Sequence, residues 1–258
     1  MQESPEYYIS IISSEFTVEK VEKMNQLGKK FLANENFTTE FVEKMGIKEL
    51  MHQISLYFSK LRNKSIKEYK DEFRYIIYLI KCIRTMMTTD VGLNALIDFP
   101  YSIKKLCMCL EFDQADKIQL LVMDILMIFS VKNNKKVLSS LFYLQSFQRT
   151  DSMFTIVLKI LNKSITIEGK ELLLESALTL INSIVNSSQD PFTRILMRRK
   201  LHEKGFTELY RSELENVYSD SAGKNKNSFL NNLIYFFYFL FFLFNLFFNY
   251  IFFLFFEK

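Results

Sequence analysis

The chain has 258 residues, of which only 6 are Gly and 3 are Pro, and its formal net charge is +4 from 33 basic and 29 acidic residues. So few turn-forming residues argue against a β-sandwich and against a Rossmann unit with its glycine-rich phosphate loop, and they favour long helices. The nearly balanced charge argues against a nucleic-acid-binding domain, which would carry a concentrated basic surface. We therefore expect an all-helical protein without a nucleic-acid partner.

The amino-terminal residues and the cysteines indicate a cytoplasmic protein. The first residues are acidic and lack the basic and apolar regions of a cleavable secretion signal. The three cysteines are Cys82, Cys107 and Cys109, an odd number with no histidine pair at metal-ligand spacing. We expect reduced thiols that pack in the core of a cytosolic protein.

Three segments carry apolar residues at helical spacing and share one motif of two adjacent apolar residues followed, three positions later, by a third. The motif starts recur after 46 residues (79 to 125) and 55 residues (125 to 180), close to the roughly 40–47-residue period of armadillo and HEAT units. The segments carry Leu79-Ile80 with Ile83, Ile125-Leu126 with Phe129, and Leu180-Ile181 with Ile184.

Two shorter helices precede each long one in this prediction. Their predicted spans, in chain order, are 38–45 and 46–61, 92–98 and 100–110, and 136–142 and 152–161. Helices over 191–204 and 206–216 then begin a fourth unit. Breaks between helices are predicted at Gly46, at Pro100 in a first helical turn, at the cap-and-proline pair Asp190-Pro191, and at Gly205 in a left-handed terminal position.

These patterns predict an all-α, armadillo-like right-handed superhelix of about three to four three-helix repeats. Repeats over residues 37–218 would stack around a shared core and leave a concave groove lined by each repeat's third helix. Such grooves bind peptides and proteins, so we expect a binding module.

Residues 229–258 differ from the rest and are predicted to form a separate apolar C-terminal helix after a polar linker over 219–228. This tail holds 13 of the 27 phenylalanines and is long enough to span a bilayer, so it could be a membrane anchor. It also lacks the small residues by which membrane helices pack, and its residue types are those of AT-rich codons, as in translated non-coding sequence. Both interpretations stay open.

No pattern indicates catalysis, a cofactor or a metal. His52 and His202 lie far apart without a second ligand or nucleophile nearby, and no nucleotide-binding loop, zinc-protease or hydrolase motif occurs. We expect a protein that is not an enzyme, with a helical enzyme of dispersed site as the remaining alternative.

A basic cluster, Arg194, Arg198, Arg199 and Lys200, lies on the helix after Pro191. It is interpreted as a solvated surface or as a site for an acidic partner or anionic lipid. Arg194 and Arg198 could instead pair with neighbouring repeats, because Ile195, Leu196 and Leu201 are expected to face inward.

Several short motifs resemble the regulatory region of diaphanous-related formins. The run Leu180–Asn186, followed by Arg194, Arg198, Leu201, Gly205 and Phe206, is similar to the formin-homology-3 segment. Upstream, Leu32–Asn36 with Phe41-Val42 and Gly46-Ile47 is similar to the GTPase-binding portion. The resemblance covers roughly residues 5 to 218.

The resemblance implies a GTPase-controlled binding module, with residues 1–36 as the GTPase-binding segment. A GTP-loaded Rho-family protein would dock around Lys29, Lys30, Asn34 and Asn36. The groove would hold an autoregulatory peptide of a formin near Lys81, Asp124 and Asn182, unless those side chains lie on the outer edge. GTPase and peptide would compete, which couples the two ligands.

The same resemblance implies a place in actin cytoskeleton organisation, with actin engaged only indirectly, and a cytoskeleton-associated location. Three prolines are too few for a profilin-binding segment, and the chain leaves no room for an actin-nucleating domain. The alternative is a generic armadillo or HEAT interaction adaptor, tethered to a membrane if residues 229–258 are an anchor.

Overall fold

The computed structural model describes residues 3–167 and 169–207. The chain divides into two compact units, Met1–Lys200 and Leu201–Lys258. Regular structure in the described residues is all helical, with eleven α-helices, one short 3-10 helix over Cys109–Glu111, and no strand. The α-helices are α1 Pro5–Ser13, α2 Val18–Ala33, α3 Glu35–Glu43, α4 Gly46–Leu61, α5 Lys70–Met86, α6 Asp90–Asp98, α7 Ser102–Met108, α8 Asp116–Gln148, α9 Thr155–Thr166, α10 Glu171–Asn186 and α11 Pro191–Glu203.

Side-chain caps fix where several helices begin. The side chains of Ser4, Asn34 and Thr89 accept hydrogen bonds from backbone N–H groups three residues later, at the starts of α1, α3 and α6. Asp190 accepts from the N–H groups of Phe192 and Thr193, at 3.2 and 2.8 Å, which confirms the cap predicted before Pro191. Each cap satisfies donors that have no partner within the helix.

Four helix segments pack side by side through the first unit, and we call them the helix row. They are α2, α5, residues 116–132 of α8, and α10; α2 packs on α5, α5 on α8, and α8 on α10. The three segments of the repeated motif are the last three members. All nine motif residues are buried, each contributing roughly 1.5–3 kcal/mol of hydrophobic stabilisation. The predicted stacking of repeats around a shared core is confirmed.

The long helix α8 joins two repeats without a loop. Only Asn133, with φ −150° and ψ 73°, leaves the helical conformation. The Asn134 side chain donates to the backbone oxygen of Ile184 in α10, 3.0 Å away, and holds the bend in place. The helix predicted over 136–142 is therefore the continuation of α8.

Of two predicted helix starts, one is confirmed and one is wrong. The helix predicted over 46–61 is α4, and the left-handed residue before its start is Met45, at φ 65°. Gly46 is needed for space, because a Cβ there would lie 2.2 Å from the Phe41 ring. Pro100 does not begin a helix: Tyr101 is left-handed at φ 63°, and α7 begins at Ser102, whose hydroxyl donates to the backbone oxygen of Leu96 at 2.6 Å.

Two other helices begin at different residues than predicted, because capping side chains determine where they start. The helix predicted over 38–45 covers Glu35–Glu43 after the Asn34 cap. The helix predicted over 152–161 covers Thr155–Thr166, since the Ser152 hydroxyl accepts from the Phe154 N–H and closes a turn first.

In the second unit only residues 201–207 are described. Gly205 has the predicted left-handed conformation, at φ 76°. Most of the helix predicted over 206–216, the linker 219–228 and the tail 229–258 lie outside the described residues. Within the described residues, no helix combines the length and apolar character needed to cross a bilayer.

Candidate functional site

The α2–α3 corner, residues Leu32–Asn36, is a run of five exposed residues at one end of the helix row. It is held from beneath by Phe31 and Phe37, both buried, whose ring centroids lie 5.8 Å apart. Leu32 exposes 62% of its surface. The corner therefore presents polar and apolar groups to solvent on a firm support.

The four residues expected to contact a GTPase all lie at or beside this corner. Lys29, Asn34 and Asn36 are exposed, and Lys29 shares a face of α2 with Leu32. Lys30 is half-buried and pairs with Glu3 at 3.3 Å. The side-chain oxygen of Asn34 accepts from the Phe37 N–H at 3.1 Å, so this residue also has a structural role as the cap of α3.

Glu3 orders the amino-terminal end beside the corner. Its carboxylate contacts Lys30 at 3.3 Å and Lys23 at 3.7 Å. The nearby Tyr8 hydroxyl and the two ammonium groups lower the pKa of Glu3. This pairing leaves Lys29 as the more exposed cation of the corner.

The residues expected in the groove, Lys81, Asp124 and Asn182, lie half-buried on the solvent-facing side of three members of the helix row. Lys81 lies over the Tyr78 ring, with its ammonium 4.9 Å from the centroid. Burial and the nearby charge of Lys117 lower the pKa of Lys81.

Asp124 connects α8 to α5 through an ion pair with Arg84 at 3.3 Å. Burial raises the pKa of Asp124, and Arg84 opposes that shift. Arg84 and Lys117 belong to this surface but were not among the predicted residues. Arg84 lies three residues after Lys81 on α5, and Lys117 lies seven residues before Asp124 on α8. This helical spacing was the signal that could have found them.

Apolar side chains continue the same side of α8 before and after Asp124. Leu121 and Met127 are half-buried, Ile128 is exposed, and Val131 exposes 71% of its surface. They flank Asp124 at helical spacing, so charged and apolar groups form one stripe. The next contact along the row is between the hydroxyls of Ser130 and Ser183, 2.6 Å apart.

The basic cluster divides between structural and exposed residues. Arg194 donates to the backbone oxygen of Ser188 at 2.6 Å, just after α10, and so holds the end of that helix. Arg198 is buried and donates to the Asn186 side chain at 3.1 Å. Burial and the neighbouring charge of Arg194 lower the pKa of Arg198. Arg198 therefore contacts α10, the preceding helix, whereas the contacts of Arg194 are to the loop before its own helix.

Arg199 and Lys200 are exposed. Leu196 was expected to face inward and is exposed instead, because Met197 and Arg198 occupy the inward side of α11. The Asn186 amide donates in turn to the Asn182 side-chain oxygen at 2.6 Å. The structure thus links Arg198 with one of the predicted groove residues.

Residues that commonly perform chemistry are dispersed. In residues 3–167 and 169–207, no group of three or more His, Cys, Asp and Glu side chains is placed to hold a metal ion. The three cysteines are buried, and burial raises the pKa of each thiol. His52 is exposed, and His202 Nδ1 lies 3.0 Å from the Thr207 hydroxyl.

Stacked helical layers, a continuous helix row and short flanking helices define an all-α, armadillo-like protein. Comparison with known proteins gives a solved structure of the same fold, Formin1 of E. histolytica bound to EhRho1-GTPγS. The likeness covers 91% of this chain and 75% of that one, with a TM-score of 0.63 and 16% sequence identity. No family model matches the sequence, and no curated protein matches it either.

Proposed function

We propose that this chain is a formin-like regulatory module that binds the GTP form of a Rho-family small GTPase through the α2–α3 corner. The observation that carries the proposal is the likeness to a formin structure that holds a Rho protein with a GTP analogue. At 16% identity this likeness concerns the fold, so the partner must be argued from the surface.

The corner supports the proposal because it combines features of a protein-binding surface. Leu32 offers exposed apolar area, and Lys29 offers a cation on the same face of α2. Asn36 is an exposed amide beside them, able to donate and accept hydrogen bonds. The buried Phe31 and Phe37 fix this arrangement in advance, which lowers the ordering cost of binding.

The same proposal gives the helix row an autoregulatory peptide of a formin as its ligand. The apolar stripe of Leu121, Met127, Ile128 and Val131 suits the apolar face of a helix, and Asp124 beside it can orient a charged end. If GTPase and peptide exclude each other, GTPase binding releases the peptide, and the protein that contains the peptide becomes active. In this scheme the chain is non-catalytic, and it acts on actin organisation through the protein it controls.

The first experiment is a binding titration of the full chain with a Rho-family GTPase loaded with GTPγS or GDP. We expect the GTPγS form to bind at least about tenfold more tightly, which corresponds to ~1.4 kcal/mol. Equal affinity for the two forms would contradict the proposal and favour a generic interaction adaptor.

Charge reversal and loss of apolar area at the corner should both weaken this binding. Lys29→Glu and Leu32→Ser remove exposed side chains, so each should change stability by less than about 0.5 kcal/mol. The matched control is Lys104→Glu, the same charge change on α7, which should bind the GTPase normally. Unchanged affinity in both corner variants would place the GTPase elsewhere.

The competition is tested by titrating a carboxy-terminal formin peptide in the presence and absence of saturating GTPase. We expect the apparent peptide affinity to fall when the GTPase is bound. Val131→Asp should lower the affinity for the peptide without changing GTPase binding. Independent binding of the two ligands would refute the regulatory scheme while leaving the GTPase site intact.

A further inference from the structure

A second surface lies away from the corner and the helix row, on α4, α7 and the last part of α8. Five side chains form it, and we call them the aromatic ladder: Arg62, Tyr101, Lys104, Tyr143 and Phe147. The Lys104 ammonium lies 5.3 Å from the Tyr101 ring centroid and 3.1 Å from that of Tyr143. Tyr143 stacks on Phe147, and the Arg62 guanidinium lies 4.7 Å from the Phe147 centroid. Lys104 and Arg62 thus lie at the two ends of a stacked pair of rings, and Tyr101 lies on the other side of Lys104.

The ladder is held from below by one carboxylate. Glu111, almost fully buried, pairs with Arg62 at 2.8 Å and accepts from the Gln148 amide at 2.9 Å. This pairing fixes Arg62 and the end of α8 relative to each other. The carboxylate compensates the charge of Arg62, so the positive charge of the ladder rests on Lys104.

The exposed part of the ladder is electrostatically positive. Lys104 contributes a full charge, and the exposed Lys64 and Arg149 follow Arg62 and Phe147 closely in the chain. Aromatic rings are negative on their faces and positive at their edges. Lys104 lies over Tyr143, Arg62 lies over Phe147, and these two rings also stack on each other, whereas Tyr101 exposes 70% of its surface.

This geometry discriminates between classes of partner. A nucleobase stacks on a ring face, and the faces of Tyr143 and Phe147 are already in contact with cations or with each other. Membrane insertion needs apolar side chains that protrude, whereas the contacts with Lys104 and Arg62 hold Tyr143 and Phe147 against the protein. A protein segment that alternates carboxylates with apolar residues fits this surface. Its carboxylates can face the cations and ring edges, while its apolar groups pack beside the rings.

We propose that the aromatic ladder is a docking site for an acidic, partly apolar segment of another protein. Tyr, Phe and Arg are enriched at protein interfaces, where a few of them supply most of the binding energy. The site is separate from the α2–α3 corner, so it allows the chain to hold a second protein while a GTPase is bound.

The test uses the full chain and a short fluorescent peptide of alternating Glu and Leu or Phe, followed by fluorescence anisotropy. We expect saturable binding that weakens as salt is raised, because exposed charges are screened. Lys104→Glu should lower the affinity about fivefold or more, since it places a like charge against the peptide carboxylates. Phe147→Ser should lower it similarly through lost apolar contact.

Lys29→Glu is the matched control and should bind the peptide as the wild type does, with circular dichroism confirming that each variant is folded. Replacing Glu by Gln in the peptide should abolish the salt dependence and most of the affinity. The proposal is overturned if Lys104→Glu and Phe147→Ser bind normally, or if the Gln peptide binds equally well. Ladder-dependent binding that is tighter to single-stranded DNA or to phosphatidylserine vesicles than to the acidic peptide also overturns it.

Discussion

The α2–α3 corner and the aromatic ladder expose apolar side chains for opposite structural reasons. At the corner the chain turns at Asn34 between α2 and α3, and the buried Phe31 and Phe37 provide the rigidity. At the ladder Lys104, Tyr143 and Phe147 lie within helices, and cations lying over the rings provide the rigidity. A surface can thus be ordered from the core or by its own side chains, and the two kinds should respond differently to mutation.

The largest difference is expected between two phenylalanines. Phe31→Ala should destabilise the fold by about 3–5 kcal/mol and abolish GTPase binding, because it removes a buried ring that contacts Phe37 and Phe41. Phe147→Ala should cost only about 1 kcal/mol, since its ring is exposed and held by a cation–π contact. Urea denaturation of both variants measures the difference, and similar losses would mean that the two surfaces are not ordered differently.

The next effect concerns how tightly the core beneath the corner is packed. Gly46→Ala places a Cβ against the Phe41 ring, which itself packs on Phe31, and should cost about 1–3 kcal/mol. Gly28→Ala in α2 is the matched control, because its Cβ would meet only ordinary contacts at 3.8 and 3.9 Å. That control should be neutral or more stable by up to ~1 kcal/mol, since Ala favours helix. Equal thermal stabilities would show that the ring moves aside freely.

A smaller effect separates capping from partner binding at Asn34. Asn34→Ala removes the cap of α3 and should cost about 1 kcal/mol. Asn34→Asp keeps a capping oxygen and should retain stability, while its new negative charge beside Lys30 alters the GTPase-binding surface. Stability and GTPase affinity of the pair distinguish the two roles. If Asn34→Asp is as unstable as Asn34→Ala, the cap is not the reason for the asparagine.

The smallest effect is a pH dependence near the amino terminus. Lys20 is buried with its ammonium donating to the backbone oxygens of Ile12 and Ser14, and burial lowers its pKa to about 8 from 10.5. The unfolded chain therefore binds more protons between pH 8 and 10.5, so this residue makes stability rise with pH in that window.

After a discount for solvent screening, we expect Lys20 to raise the free energy of unfolding by about 0.5 kcal/mol over the lower part of that pH window. The buried cysteines have raised pKa values and act in the opposite direction. The difference between wild type and Lys20→Met isolates the lysine in urea titrations at several pH values. Parallel pH profiles would contradict the assignment.

The sequence predicts the helix row well and the surfaces less well. Leu79, Ile125 and Leu180 each belong to a segment with apolar residues at helical spacing, and each is buried against a neighbouring helix. The periodicity of the sequence reports this burial directly. The membership of α2 was missed, since its apolar positions Met24 and Leu27 lie among many charged residues. Capping and left-handed turns, as at Asn34 and Tyr101, shifted helix ends because they depend on single side chains.

The corner was predicted through its asparagines, which lie together in the chain. Its exposed apolar residue, Leu32, was part of the formin-like motif but was not predicted to bind, because a leucine in a helix is expected to be buried. The aromatic ladder was not predicted at all. Its residues come from positions 62 to 147 on three helices, each unremarkable alone, and only the packing of α4, α7 and α8 brings them together.

The single non-helical residue in α8 has a consequence for how this protein can change over evolution. Repeat proteins gain and lose repeats when recombination falls in the loops between them. Here the boundary at Asn133 lies inside one helix, and the next side chain, Asn134, is bonded to α10. A crossover at this point would cut a packed helix and leave buried faces such as Phe129 and Val137 without neighbours. The two repeats that α8 joins are therefore expected to be inherited as one block.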